Sequence, residues 1–206
     1  MTLIRDCYGS GIIRCRQLLV STLVIALAVS LFALLLQRSS MGTTYHGINV
    51  DGTLSDWATD ERMGVDMNKT LYITWNDTLL FIGWEGTDWN GEGDLFIYMD
   101  TTFGGSNTSK DWYGTHTLPF DADYLFWVED GSLPERQGLD EYNNSWTTIQ
   151  FTGYTYIGWS GNTNTEIAIP WQDIGNPTTL SIIVFAQWED AGNVWASFPP
   201  ENPASQ

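Results

Sequence analysis

Two short stretches carry side chains suited to holding a ligand. Asp88-Trp89-Asn90 lies inside Gly86-Thr-Asp-Trp-Asn-Gly-Glu-Gly93, and Asp111-Trp112-Tyr113 lies inside Ser109-Lys-Asp-Trp-Tyr-Gly114. A flat ring beside a carboxylate or an amide is suited to a sugar. The ring stacks on the apolar face and the polar groups take the hydroxyls. Trp89, Trp112 and Tyr113, with Asp88 and Asn90, are therefore the candidate ligand contacts. Their polar, glycine-rich surroundings set them apart from Trp75, Trp84 and Trp127. Those three sit in apolar strand-like runs and read as core rings with a satisfied indole N–H.

A second set of groups suits a hard cation. Ca²⁺ is held by six to eight oxygen ligands, several of them carboxylates. Asp51 and Asp56 flank a tight turn at Gly52, and Asp94 and Asp100 bracket the run Asp-Leu-Phe-Ile-Tyr-Met-Asp. In an extended run residues 94, 96, 98 and 100 share a face. Asp94 and Asp100 then stand at opposite ends of that face, so each would need partners from nearby loops. Asp51 and Asp56 read equally well as turn and cap residues.

Catalytic patterns are nearly absent. There is no Gly-x-Ser-x-Gly, no His-Glu-x-x-His and no glycine-rich phosphate loop. A haem pocket would need Met63, Met67 or Met99 with His46 or His116, and nothing in the spacing supports one. Carboxylate pairs are plentiful, which leaves a small glycosidase as a lesser alternative. The expectation is that the protein is not an enzyme.

Charge is distributed unevenly. After Arg38 the chain has 24 acidic residues against 4 basic ones, a net of −20. That balance argues against nucleic acid and anionic lipid headgroups as partners. It fits a solvated acidic surface, cation binding or a polycationic partner.

The elements that must position these groups begin with Leu18–Leu36, an unbroken apolar run of 19 residues. As a helix rising about 1.5 Å per residue it spans roughly 28 Å, close to the bilayer core. A cleaved signal peptide usually has a shorter apolar core and a small-x-small exit. Here the exit is Gln37-Arg38-Ser39-Ser40-Met41, which favours a retained anchor over cleavage. Arg5, Arg14 and Arg16 precede the run, so the N-terminus is expected in the cytoplasm and the remainder outside. Both cysteines, Cys7 and Cys15, also precede it. The exported part thus has no disulfide and must fold on its own core. Asn68, Asn76, Asn107 and Asn143 head Asn-x-Ser/Thr triplets in polar stretches, where glycans could stand clear.

Everything after residue 41 reads as strand and turn. Strands are expected at Leu71–Asn76, Thr78–Gly86, Asp94–Asp100, Ala122–Glu129, Trp146–Phe151, Tyr154–Trp159, Thr165–Ile169, Thr179–Glu189 and Asn193–Phe198. Asn76-Asp77 marks a hairpin turn. Pro170-Trp171-Gln172-Asp173-Ile174 suits a single helical turn with proline at its start. Many short strands separated by turns indicate an antiparallel sandwich. The expected layout is a short cytoplasmic segment 1–17, a membrane anchor 18–36, a linker 37–47, a β-sandwich 48–198 and a frayed tail 199–206.

Several stretches together resemble a known family. Ile48-Asn-Val-Asp-Gly-Thr-Leu-Ser-Asp-Trp57 looks like the opening strand and turn of family-nine-type carbohydrate-binding modules and their DOMON-like relatives. Leu71-Tyr-Ile-Thr-Trp75 with Leu79-Leu-Phe-Ile-Gly-Trp84 is similar to their first hairpin. Asp94–Asp100 and Thr165-Glu-Ile-Ala-Ile-Pro-Trp171 are similar to two later strands. Gln187–Pro199 resembles the modules appended to glucodextranases and amylopullulanases. The likeness spans roughly Ile48 to Pro203. It implies an all-β sandwich, often with structural Ca²⁺ and in several members sugar binding, but not catalysis. The expectation is a non-catalytic, membrane-tethered, extracytoplasmic module that binds polysaccharide or a cell-surface glycan, Ca²⁺, or both. The alternative from another class is a structural subunit of an envelope layer or filament.

Overall fold

A computed structural model describes residues 47–67, 69–86, 93–110, 114–129, 137–158, 164–188 and 192–203. The apolar run 18–36 lies outside them, and no described helix is long and apolar enough to cross a membrane.

The described residues form antiparallel β-sheet. One sheet has β1 (Arg62–Asp66), β2 (Lys69–Trp75), β3 (Leu79–Glu85), β10 (Tyr154–Ile157) and β11 (Thr165–Pro170), in the order β1-β2-β3-β11-β10. The other has β4 (Gly93–Asp100), β7 (Tyr124–Val128), β8 (Gln137–Tyr142), β9 (Trp146–Ile149), β12 (Ser181–Trp188) and β13 (Val194–Phe198), in the order β13-β12-β4-β7-β8-β9. A hairpin of β5 (Ser106–Thr108) and β6 (Thr117–Ala122) stands apart.

The two sheets share one core. Leu71, Ile73, Ile82 and Trp84 from the first sheet meet Leu95, Ile97, Phe126 and Val184 from the second in one buried cluster. Alternation along each strand sends these residues to one face, and burying them is the main driving force for the fold. The outer face of the second sheet is covered as well. Phe96, Tyr98 and Phe185 pack there against Leu118 and Ala122 of β6. On the outer face of the first sheet, Ile48 and Trp57 of the N-terminal arm cover Phe81 and Ala168.

The arm is held by one acid. Glu166, fully buried, accepts hydrogen bonds from the backbone N–H groups of Asp51 and Gly52, and from Trp57 Nε1 at 2.8 Å. Gly83 leaves room for the Trp57 indole; a Cβ there would lie 3.0 Å from that ring. Burial pushes the Glu166 carboxyl up from its ordinary value, and the three donors pull it partly back.

The strands expected from alternation are present, with ends shifted by a few residues. So is the helical turn, at Trp171–Ile174, closed by Gly175 in the left-handed region at φ 79°. Strands β1, β5, β6 and β8 were not expected, being polar or broken by glycine or proline. Of the expected tail 199–206, residues 199–203 are described. Residues 199–203 fold back, with Asn202 N–H donating to Ser197 Oγ and Pro203 buried. A serine hydroxyl within reach of a freed amide is enough to turn the chain.

Candidate functional site

A cleft of about 640 Å³ opens where the inner face of the first sheet runs past the second. Its wall is apolar: Ile73 and Trp75 from β2, Leu80 from β3, Ile182 from β12, and Trp171. Polar groups form the rim, among them Asn76, Asp77, Asn176, Thr178 and Thr179. The volume falls within the range of small-molecule sites, about 300–1,000 Å³.

Local chemistry explains each wall. Leu71, Ile73 and Trp75 occupy alternate positions and so share the core face of β2. Leu71 and Ile73 are buried there, but Trp75 remains 40% exposed. The expectation that Trp75 is a core ring is corrected for this reason. Alternation points the ring inward, but at the end of the strand it lines the open cleft. Trp84, from the same group, is 2% exposed and belongs to the core, but against expectation its Nε1–H has no hydrogen-bond partner among the described residues. Trp127 is partly buried, and its Nε1 donates to Asp140 at 3.3 Å.

Asn76 fixes the turn between β2 and β3. Its Oδ1 accepts from Thr78 N–H at 2.8 Å, Thr78 Oγ1 at 3.0 Å and Leu79 N–H at 2.9 Å. Its backbone carbonyl accepts from Trp171 Nε1 at 2.8 Å, and Trp171 N–H donates to Thr78 O at 3.0 Å. The second indole is thus locked against the hairpin that carries the first. Trp75 and the hydrogen-bonded Trp171 border a space rimmed by amides, hydroxyls and a carboxylate. Such a surface stacks on an apolar ring face and bonds hydroxyls at its edge.

A second recess, of about 460 Å³, is polar and lies against Thr102–Gly105, Asp123 and Glu141–Asn144. Asp123 shapes it by accepting from Thr101 N–H, Thr101 Oγ1 and Thr102 N–H. Phe103 beside it is fully exposed.

Under the covering hairpin lies a buried polar network. Asp140, fully buried, pairs with Lys110 and accepts from Thr148 Oγ1 at 2.7 Å. Lys110 Nζ also stands 5.8 Å from the centre of the Trp127 ring. His116 Nε2 lies 3.1 Å from Gly192 O and 2.9 Å from Gln187 Oε1, so that nitrogen carries the proton and donates. Burial pushes the Tyr98 phenol up. These groups fasten Lys110 and His116 to the second sheet. Met99 is in the inter-sheet core, Met63 and Met67 are exposed, and His116 is engaged on the outer face. The described candidates for a haem pocket are therefore not brought together, and His46 lies outside the described residues.

The residues singled out from sequence fall in several places. Trp89, Asp88, Asn90, Trp112 and Tyr113 lie outside the described residues, as does Asn68. Asp51 accepts from Asn49 Nδ2, Thr53 N–H and Thr53 Oγ1, and these bonds hold its carboxyl below the usual range. Asp56 Oδ2 accepts from Asn49 N–H at 2.7 Å. Both carboxylates thus accept bonds from backbone groups within the arm. Asp94 is fully buried in β4, and Asp100 is partly exposed at its other end. Burial and the nearby Asp123 and Asp121 raise the Asp100 carboxyl. Among the described residues, no three His, Cys, Asp or Glu side chains come together as a metal-holding group. Asn107 and Asn143 are exposed, and Asn76 is half-buried.

No protein-family model, curated protein or solved structure matches the chain. The sequence does not disclose the Trp75–Trp171 cleft, because Trp75 reads as a core ring and Trp171 as part of a helical turn and of a strand-end motif. The available signal was a tryptophan at the very end of an alternating run.

Proposed function

We propose that the chain is a non-catalytic, membrane-tethered, extracytoplasmic module that binds carbohydrate in the Trp75–Trp171 cleft. The observation that carries the reading is Trp75. It is a core-facing indole left 40% exposed over an apolar space, with a second indole fixed nearby. Hydroxyl-binding groups on the rim support sugar over a plain hydrocarbon. The two-sheet architecture and the resemblance of Ile48–Pro203 to carbohydrate-binding modules support the same reading. The apolar run 18–36, with arginines before it, supports the tether and the outward orientation. Asn107 and Asn143 are the exposed acceptors for glycosylation among the described residues, whereas Asn76 is engaged at the cleft rim.

Calcium belongs to this reading at the arm. Asp56 Oδ1 is buried without a hydrogen-bond partner, and its charge acts on Glu166. One such oxygen falls far short of the six to eight that Ca²⁺ takes, so neighbouring groups or water would have to supply the rest.

The test is a glycan array probed with the full-length chain, followed by titration of the best sugar. Trp75→Ala should abolish binding while leaving the melting temperature nearly unchanged. Trp89 and Trp112, which lie outside the described residues, are a separate candidate. Loss of binding in Trp89→Ala with none in Trp75→Ala would move the site there. If no glycan binds the wild type, the carbohydrate reading falls. The assembly reading then gains from β9, an edge strand of uncharged Trp146-Thr-Thr-Ile149, because unguarded edges recruit further strands.

A further inference from the structure

We infer that the cleft discriminates sugars by charge, taking neutral and amino-bearing sugars and rejecting acidic ones, with Asp77 as the residue that reads the charge. This rests on the carbohydrate reading of the cleft and narrows it.

Among the described residues that line the cleft, Asp77 is the ionisable one, and no Lys, Arg or His joins it. It sits at the tip of the β2–β3 turn and is exposed. Turn aspartates normally spend their carboxylate on nearby backbone N–H groups. Here Asn76 performs that task with three accepted bonds. Among the described residues the Asp77 carboxylate has no hydrogen bond or ion pair. The turn does not need it, and it remains available to a bound molecule at the rim.

The surroundings reinforce its sign. With a net of −20 after Arg38, the surface disfavours approach of a uronate or sulfated chain. A stacked amino sugar would place its ammonium among rim groups that include this carboxylate. The gain is that of a solvent-exposed ion pair, about 2- to 5-fold in affinity, and is screened by salt.

The experiment uses the full-length chain at low salt and mildly acidic pH, where a sugar amine is protonated. Calorimetric titration compares a deacetylated chito-oligosaccharide, its N-acetylated counterpart, a neutral gluco-oligosaccharide and a uronate oligomer. Wild type should bind the deacetylated form about 2- to 5-fold more tightly than the acetylated one and bind the uronate least. Asp77→Asn should erase the preference and improve uronate binding, while holding neutral sugar within about 2-fold. Asp77→Glu should restore the preference. Neutral sugar bound with no amine preference, or a preference that survives Asp77→Asn, overturns this inference alone. No binding of any sugar by wild type overturns the carbohydrate reading with it.

Discussion

Replacing Glu166 tests how the N-terminal arm is held. In Glu166→Ala, the buried Trp57 Nε1–H and Gly52 N–H lose their acceptor, and Asp51 N–H loses one that water can partly replace. Leaving a buried donor unsatisfied costs about 1–3 kcal/mol. Two such donors, with a smaller share for the third, put the expected loss at about 3–5 kcal/mol. Glu166→Gln keeps one acceptor oxygen and removes a buried charge, so it should cost about 1–2 kcal/mol. Urea denaturation followed by tryptophan fluorescence, with a shared slope, gives both values. The pH dependence supplies an independent sign. Burial raises the Glu166 carboxyl above its ordinary 4.5. The folded state then holds that proton more tightly than the unfolded state. The stability from protonation is complete below the unfolded value and is lost as pH rises through the folded one. Glutamine does not titrate, so the gap between wild type and Glu166→Gln should narrow as pH rises through that window. A gap that widens instead, or a Glu166→Ala loss under about 1 kcal/mol, would refute the clamp.

Two further outcomes are expected. Gly138→Ala would place a Cβ 2.4 Å from the Trp127 ring, so the indole must leave Asp140 and stability should fall by about 1–3 kcal/mol in the same urea assay. If a cation sits at Asp56, excess chelator should lower the melting temperature by several degrees; an unchanged melting curve removes calcium from the reading.

The sheets were legible because most of their strands announce themselves by alternation. Leu71-Tyr-Ile-Thr-Trp and Asp94–Asp100 point one face into the core without help from distant residues. Strand β8 did not, because Gln137-Gly-Leu-Asp-Glu-Tyr places a carboxylate where a buried residue is needed. Asp140 is tolerated there because Lys110, 30 residues earlier, pairs with it, and such pairing is invisible in a local window. Strand β6 carries Pro119, which argues against a central strand; it sits instead in a two-stranded hairpin. The cleft was hidden for a related reason. Alternation tells which face Trp75 occupies but not how far the opposite sheet extends to cover it. Glu166 likewise stood in a motif noted for its resemblance, while its three donors come from residues more than 100 positions earlier.

The scarcity of basic residues has a consequence for resistance to proteases. Of the four after Arg38, Arg62 lies within β1, Lys69 donates to Gly86 O and stands over the Trp195 ring, and Lys110 is tied to Asp140. A protease that cuts after lysine or arginine needs a length of chain drawn out around its target. At these three sites it must wait for a strand or an ion pair to open, so cutting there follows the opening equilibrium and not the chance of collision. Enzymes that cut beside aspartate or glutamate face no such shortage of targets.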